Sequence, residues 1–216
     1  GKVVGIAVAV EGYSGYFPFG HKGGGNLDKN RVIKWLKDIC ECPADKVFHN
    51  AMYDVCWLRA MGITIHGRIF DTMIAASLVN ENRFRFDLNS LGWDYVGRGK
   101  NETELRAAAN EWGIDPKSDM WMLPSMYVGN YAERDAELTL DLWKVMQKEI
   151  IDQDLESIFN LETFVMGGIT LKDAERTIIT NTTSSGQLDI ESNYETYEIH
   201  TGVRKNNLSL VPDIGL

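Results

Sequence analysis

Two short stretches of this 216-residue chain carry residue types that could do chemistry. The first is HNAMYDVCWL, residues 49 to 58, where Asn50 stands four positions before Asp54, just after the apolar pair Val47 and Phe48. A carboxylate at the mouth of a short buried strand, one helical turn beyond an amide, is a candidate metal ligand, and such a ligand needs partners. The second is YAERDAELTLDLW, residues 131 to 143. Tyr131 and Asp135 are i and i+4, so on a helix they share one face. Leu138 and Leu142 continue a neighbouring apolar stripe. Taken alone, the pair reads better as a surface Tyr–Asp contact beside core residues than as a site.

The elements that must position these residues follow from the pattern. KVVGIAVAV (2 to 10) is β-branched and apolar, a buried strand. YFPFG reads as a second strand, with Pro18 suited to an edge. RVIKWLKDIC (31 to 40) carries one apolar stripe and is a helix. KVFHN is a short strand, followed by a helix AMYDVCWLRAMG closed by Gly62. RIFDTMIAASLV is a strand running into a helix. Asp87 is the N-cap of a helix through Tyr95, and TELRAAANEWG (103 to 113) is a helix ending at Gly113. Residues 114 to 124 are loop. The longest helix runs from about Tyr127 to Ile151 and carries the second stretch. Strands first, then strand–helix alternation, then helix: the fold class is α/β, a sheet covered by helices. Near residue 167 the chain turns polar and Thr/Ser-rich. The expected domains are therefore 1–165, and a segment 166–216 that is either a small β-like appendage or disordered.

Lys plus Arg is 22 and Asp plus Glu is 31, a net charge of −9. That argues against a protein gripping duplex DNA by its backbone, which needs a basic face. It leaves room for a metal-dependent nuclease, where bound ions meet the phosphate. No apolar run approaches the roughly 18 residues of a membrane span. Cys40, Cys42 and Cys56 fit free thiols in a reducing cytosol better than a disulfide framework or a C-x-C metal site. A cytoplasmic location, in a bacterium or a phage-infected host, is expected.

N-x-x-x-D after a strand, followed well down the chain by Y-x-x-x-D on a long helix, resembles the second and third motifs of the DnaQ-like, RNase H-like 3′–5′ exonucleases. FDTMIAASLVNEN (70 to 82), DLNSL (87 to 91) and IFNLET (158 to 163) resemble the proofreading domain of family A DNA polymerases, most of all those of bacteriophages, over about residues 1–164. The resemblance implies an RNase H-like mixed sheet covered by helices. It also implies hydrolysis at the 3′ end of single-stranded DNA by two Mg²⁺ or Mn²⁺ ions about 4 Å apart. By that resemblance Asp54 and Asp135 are metal carboxylates, and Tyr131 orients or helps deprotonate the attacking water. Asn50 contacts the substrate near its 3′ end. The implied partner is a polymerase domain on the same polypeptide. His49 reads as structural, because the position that is histidine in the His-type branch is Tyr131 here. Asp71 reads as structural support, Glu102/Glu104 and Glu133/Glu137 as solvated helix faces, and the six tryptophans mostly as core anchors.

The family's first motif, D-x-E on the first and central strand, belongs before residues 2 to 10. The expectation is thus a sheet lacking its first strand and a two-ion site that is incomplete in this chain, with activity in doubt. Asp189-Ile190-Glu191 is a D-x-E whose acids would share a strand face. SSGQ precedes it and its order would require circular permutation, so it reads as a coincidental solvated strand. Two other readings remain open: an RNase D-like exoribonuclease, and a non-catalytic nucleic-acid-binding remnant of the same fold.

Overall fold

The computed structural model describes residues 2–160 and two further strands within 179–191. The chain opens with β1 (Gly5–Val10) and β2 (Tyr13–Pro18), an antiparallel ribbon in register from Gly5 opposite Pro18 to Val10 opposite Tyr13. Gly12, at φ 78°, closes the connection in the left-handed region that suits glycine. Next comes α1 (Lys29–Glu41), two residues longer at its start than the periodicity predicts, because the Asp28 carboxylate accepts the Arg31 N–H and caps it. β3 (Lys46–Phe48), α2 (Ala51–Ala60) and β4 (Ile69–Asp71) form a strand–helix–strand unit whose strands pair in parallel, Phe48 opposite Asp71. A parallel pair needs such a crossover, and α2 supplies it.

α3 (Thr72–Val79) follows β4 directly. α4 (Leu88–Leu91) starts at the expected cap, Asp87, and continues as a π-helical turn over Gly92–Val96. α5 (Thr103–Trp112) stops at Gly113, which has φ 65°. Residues 114–124 are irregular apart from a short 3₁₀ turn at Met120–Met122. α6 (Met126–Asp152) is the longest element.

Two cores meet at Phe70. Ile6, Leu36, Phe48, Leu58 and Ile63 are buried in one, between β1, α1, β3 and α2. Leu91, Leu138, Leu142 and Met146 are buried in the other, along α6. Phe70 packs against both and stacks on Trp143 with ring centroids 4.3 Å apart.

Among the described residues β1 pairs only with β2, and β3 only with β4, so these strands form two separate ribbons. Both ribbons rest on α6. The tryptophans are not mostly core anchors, since Trp93 (61% exposed), Trp112 and Trp121 reach solvent and only Trp143 is buried. Glu133 and Glu137 are not simply solvated. Glu133 accepts the Tyr16 N–H at 2.9 Å and Glu137 accepts the Ser14 hydroxyl at 2.7 Å, so α6 supplies acceptors to β2.

The expected boundary at 165–170 lies outside the described residues. Beyond it, β5 (Ile179–Thr182) and β6 (Leu188–Glu191) pair antiparallel with each other. Among the described residues, Asp189 and Glu191 therefore sit on a two-stranded ribbon.

Candidate active site

The site is built first from the junction of β3 and α2. Asn50 has φ 65° and ψ 58°, a left-handed conformation that few non-glycine residues adopt. What holds it there is Asp71, at the end of β4. One carboxylate oxygen of Asp71 accepts the Asn50 N–H at 3.0 Å and the Met73 N–H at 2.8 Å, and the other accepts the Ala51 N–H at 2.8 Å. One buried side chain thus closes the N-termini of both α2 and α3, where backbone N–H groups are otherwise unsatisfied. Burial pushes the Asp71 carboxyl up, while these N–H donors hold it down. Because Asp71 makes the cap, the Asn50 amide is left out of it and lies exposed at the start of the helix.

One turn further along α2 is Asp54, 1% exposed. On α6, Tyr131 and Asp135 do share a face, and that face is buried, at 7% and 1% exposure. The residue that joins them was not singled out in the sequence: Lys100, in the loop between the π turn and α5. Its ammonium lies 2.6 Å from the Asp135 carboxylate and 3.4 Å from the Tyr131 hydroxyl, and stands over the Tyr131 ring at 5.4 Å. A carboxylate taken out of water needs an opposite charge close by, and Lys100 provides it for Asp135. The Lys100 N–H is in turn fixed on the Asn89 side-chain oxygen at 3.0 Å.

Asn50 and Lys100 line the same cavity, of about 720 Å³, together with His49, Asn89, Arg106 and Lys117. Tyr131 and Asp135 are not among its lining residues; they contact Lys100, which is. Asp54 is buried behind Asn50 in the same helix and is not part of the cavity lining. His49 lines the cavity as well. The Thr72 hydroxyl donates to the Phe48 carbonyl at 3.0 Å, which leaves its oxygen to accept from His49 Nδ1 at 2.9 Å. Burial, and then the positive charge of Lys100, push the His49 imidazole down to about 4, so it is neutral at physiological pH.

As a metal site the arrangement is partial. Among the described residues no group of three or more His, Cys, Asp and Glu side chains gathers to hold an ion. Asp54 and Asp135 are hard oxygen donors of the kind Mg²⁺ and Mn²⁺ take, so they fit as part of a coordination sphere. No periodic signal marks a loop lysine such as Lys100. Its nearest clue is the basic run GRGK (97 to 100) lying between two helices.

Comparison with known proteins bears on this geometry. The family described as 3′–5′ exonuclease, of the A-type DNA polymerases, matches residues 21–151. A DNA-directed DNA polymerase of Pseudomonas phage M6 is 39% identical over 78% of this chain and 26% of that protein. The DNA polymerase DpoZ of Salmonella phage PMBT28 is 29% identical over 74% of this chain and 26% of its own length. DNA polymerase I of Pseudomonas aeruginosa is 30% identical over 69% of this chain and 17% of its own. The chain therefore spans about a quarter of the length of these phage relatives (26%). No helix among the described residues is long and apolar enough to cross a membrane. A match over well more than half of the chain, with the two motifs falling inside it, places the chain in the 3′–5′ exonuclease domain family of the family A DNA polymerases.

Proposed function

We propose that this chain is the proofreading module of a phage-like DNA polymerase and hydrolyses single-stranded DNA from its 3′ end. The observation that carries the reading is the convergence of Tyr131 and Asp135 on Lys100, at the edge of the cavity that Asn50 lines. Asp54 and Asp135 would hold divalent ions, Mg²⁺ or Mn²⁺, which supply an activated water and neutralise charge on the phosphate. The chain's own residues do the rest. The exposed Asn50 amide, held in place by Asp71, hydrogen-bonds the terminal nucleotide. The Tyr131 hydroxyl orients the attacking water. Lys100 holds the Asp135 carboxylate in place, and its ammonium faces the incoming phosphate. His49, neutral, contributes a polar wall without adding charge.

The unjoined ribbons support a further strand between β1 and β3, bearing the D-x-E acids of the family's first motif. Such a strand would make one mixed sheet of the two, and its two acids would complete the set begun by Asp54 and Asp135.

The test is release of nucleotides from a 5′-labelled single strand in Mg²⁺ or Mn²⁺, by this chain and by a longer one carrying an upstream D-x-E. Cutting is expected, and it should be stronger where the D-x-E acids are present. Asp54→Ala and Asp135→Ala should each abolish it, and Tyr131→Phe should slow it about 10²-fold, the scale of general-base-type assistance. Full activity in Asp54→Ala or Asp135→Ala sinks the assignment. Binding of DNA with no cutting by either chain would instead favour the non-catalytic reading, and preference for RNA the RNase D-like one.

A further inference from the structure

Folding leaves one aromatic pair in water beside this cavity. Phe84 is fully exposed, at 102%, and Trp93 is 61% exposed. They face a groove of about 520 Å³ that Arg83, Arg85 and Asn89 also line. Asn89 belongs to both hollows: it lines the groove and the active-site cavity, and its side-chain oxygen holds the Lys100 N–H. The two spaces therefore meet at one residue. Gly99 tightens the junction, since a Cβ there would collide with the Trp93 indole nitrogen and the Asn89 oxygen. Arg83 is committed locally, at 2.6 Å from Asp94 and over the Tyr95 ring. Arg85 is exposed and enters none of the ion pairs among the described residues, although its charge helps hold the nearby Asp87 carboxyl down, in a chain whose net charge is −9.

We propose that this groove is a second nucleotide subsite, which holds the single strand on the 5′ side of the terminal residue by stacking bases on Phe84 and Trp93. The inference rests on the reading of the cavity as the seat of the 3′ end. Aromatic faces interleaved with arginine are what a sequence-tolerant single-strand track requires: every base has a face to stack, and the guanidinium meets the backbone phosphate. A protein partner would also cover an exposed Phe and Trp. Continuity with the cavity and the exposed charge of Arg85 favour the strand.

The experiment is equilibrium binding of labelled dT3 and dT10 to the full chain, in EDTA so that nothing is cut. The trinucleotide reaches only the cavity, and the decamer reaches both. The decamer should bind at least about tenfold more tightly, within the range that one or two stacked bases give. Phe84→Ala with Trp93→Ala removes two exposed side chains and leaves the core alone, so the protein should melt as before. That variant should bring dT10 down to the affinity of dT3 without changing dT3. Equal affinity for the two lengths in the unaltered chain, or an unchanged dT10 affinity in the variant, overturns the subsite and leaves the cavity reading standing. Failure of both oligonucleotides to bind overturns both.

Discussion

Lys100 shows how one loop residue supplies the opposite charge that a buried carboxylate needs. Its ammonium is mostly buried and lies 2.6 Å from a carboxylate that is 2% exposed. Breaking a buried ion pair by removing one member costs about 3 kcal/mol. Lys100→Met should therefore lower the melting temperature clearly in EDTA. Mn²⁺ should then stabilise this variant more than it stabilises the unaltered chain, because the ion no longer competes with an ammonium. Calorimetry in EDTA and in Mn²⁺ checks this, and equal stabilisation of the two proteins would contradict it. At this scale the sequence was informative where spacing encodes geometry. Tyr131 and Asp135 could be placed on one face because a helix dictates it; Asn50 and Asp54 could not, because Asn50 precedes the helix in a left-handed conformation. The burial of Tyr131 and Asp135 could not be foreseen, nor could Lys100, because loop residues carry no periodicity. The double capping role of Asp71 was likewise hidden, since it depends on a strand pairing that brings residues 50 and 71 together.

Among the elements, α2 depends on its first turn. Asn50 holds a left-handed backbone that glycine adopts freely, and that alanine resists by roughly 1 kcal/mol or more. Asn50→Gly should keep the melting temperature close to that of the unaltered chain, while Asn50→Ala should melt lower by an amount corresponding to about 1 kcal/mol. Both should weaken dT3 binding, because both remove the amide. If Asn50→Gly binds dT3 normally, the amide has no role in the site. The main helices were legible through apolar stripes, the Asp87 cap and the terminal glycines Gly62 and Gly113; the Asp28 cap was not. The π turn at Gly92–Val96 was not: it continues α4 without any break in composition. Nor was the docking of β2 on α6, because Glu133 and Glu137 look like surface acids until Tyr16 and Ser14 are seen to donate to them.

The whole molecule should lose stability in mild acid. His21 is buried, accepts the Tyr16 hydroxyl at 2.6 Å and donates from Nδ1 to the Leu123 carbonyl at 3.0 Å, and burial pushes its imidazole below the ordinary range. His49 is pushed down to about 4. The unfolded chain takes up protons on both near pH 6.5, whereas the folded chain does so only at lower pH, so stability is lost as pH falls through that window. Asp71, pushed upward by burial, acts in the opposite sense at the acid end. Thermal melts from pH 7.5 to 4.5 should show a falling melting temperature, with a shallower fall in His21→Gln. A flat profile would mean that neither imidazole is buried neutral. The carboxylate of Asp71 has one more effect at this scale. Because it holds the Asn50, Ala51 and Met73 N–H groups at once, α2 and α3 cannot fray independently at their starts. These three amides should exchange with deuterium at a common rate, set by one shared opening, and Asp71→Asn should accelerate all three together. The precision of the turn that presents Asn50 is thus maintained by a cooperative unit spanning two helices, and any weakening of α3 will be felt at the mouth of α2.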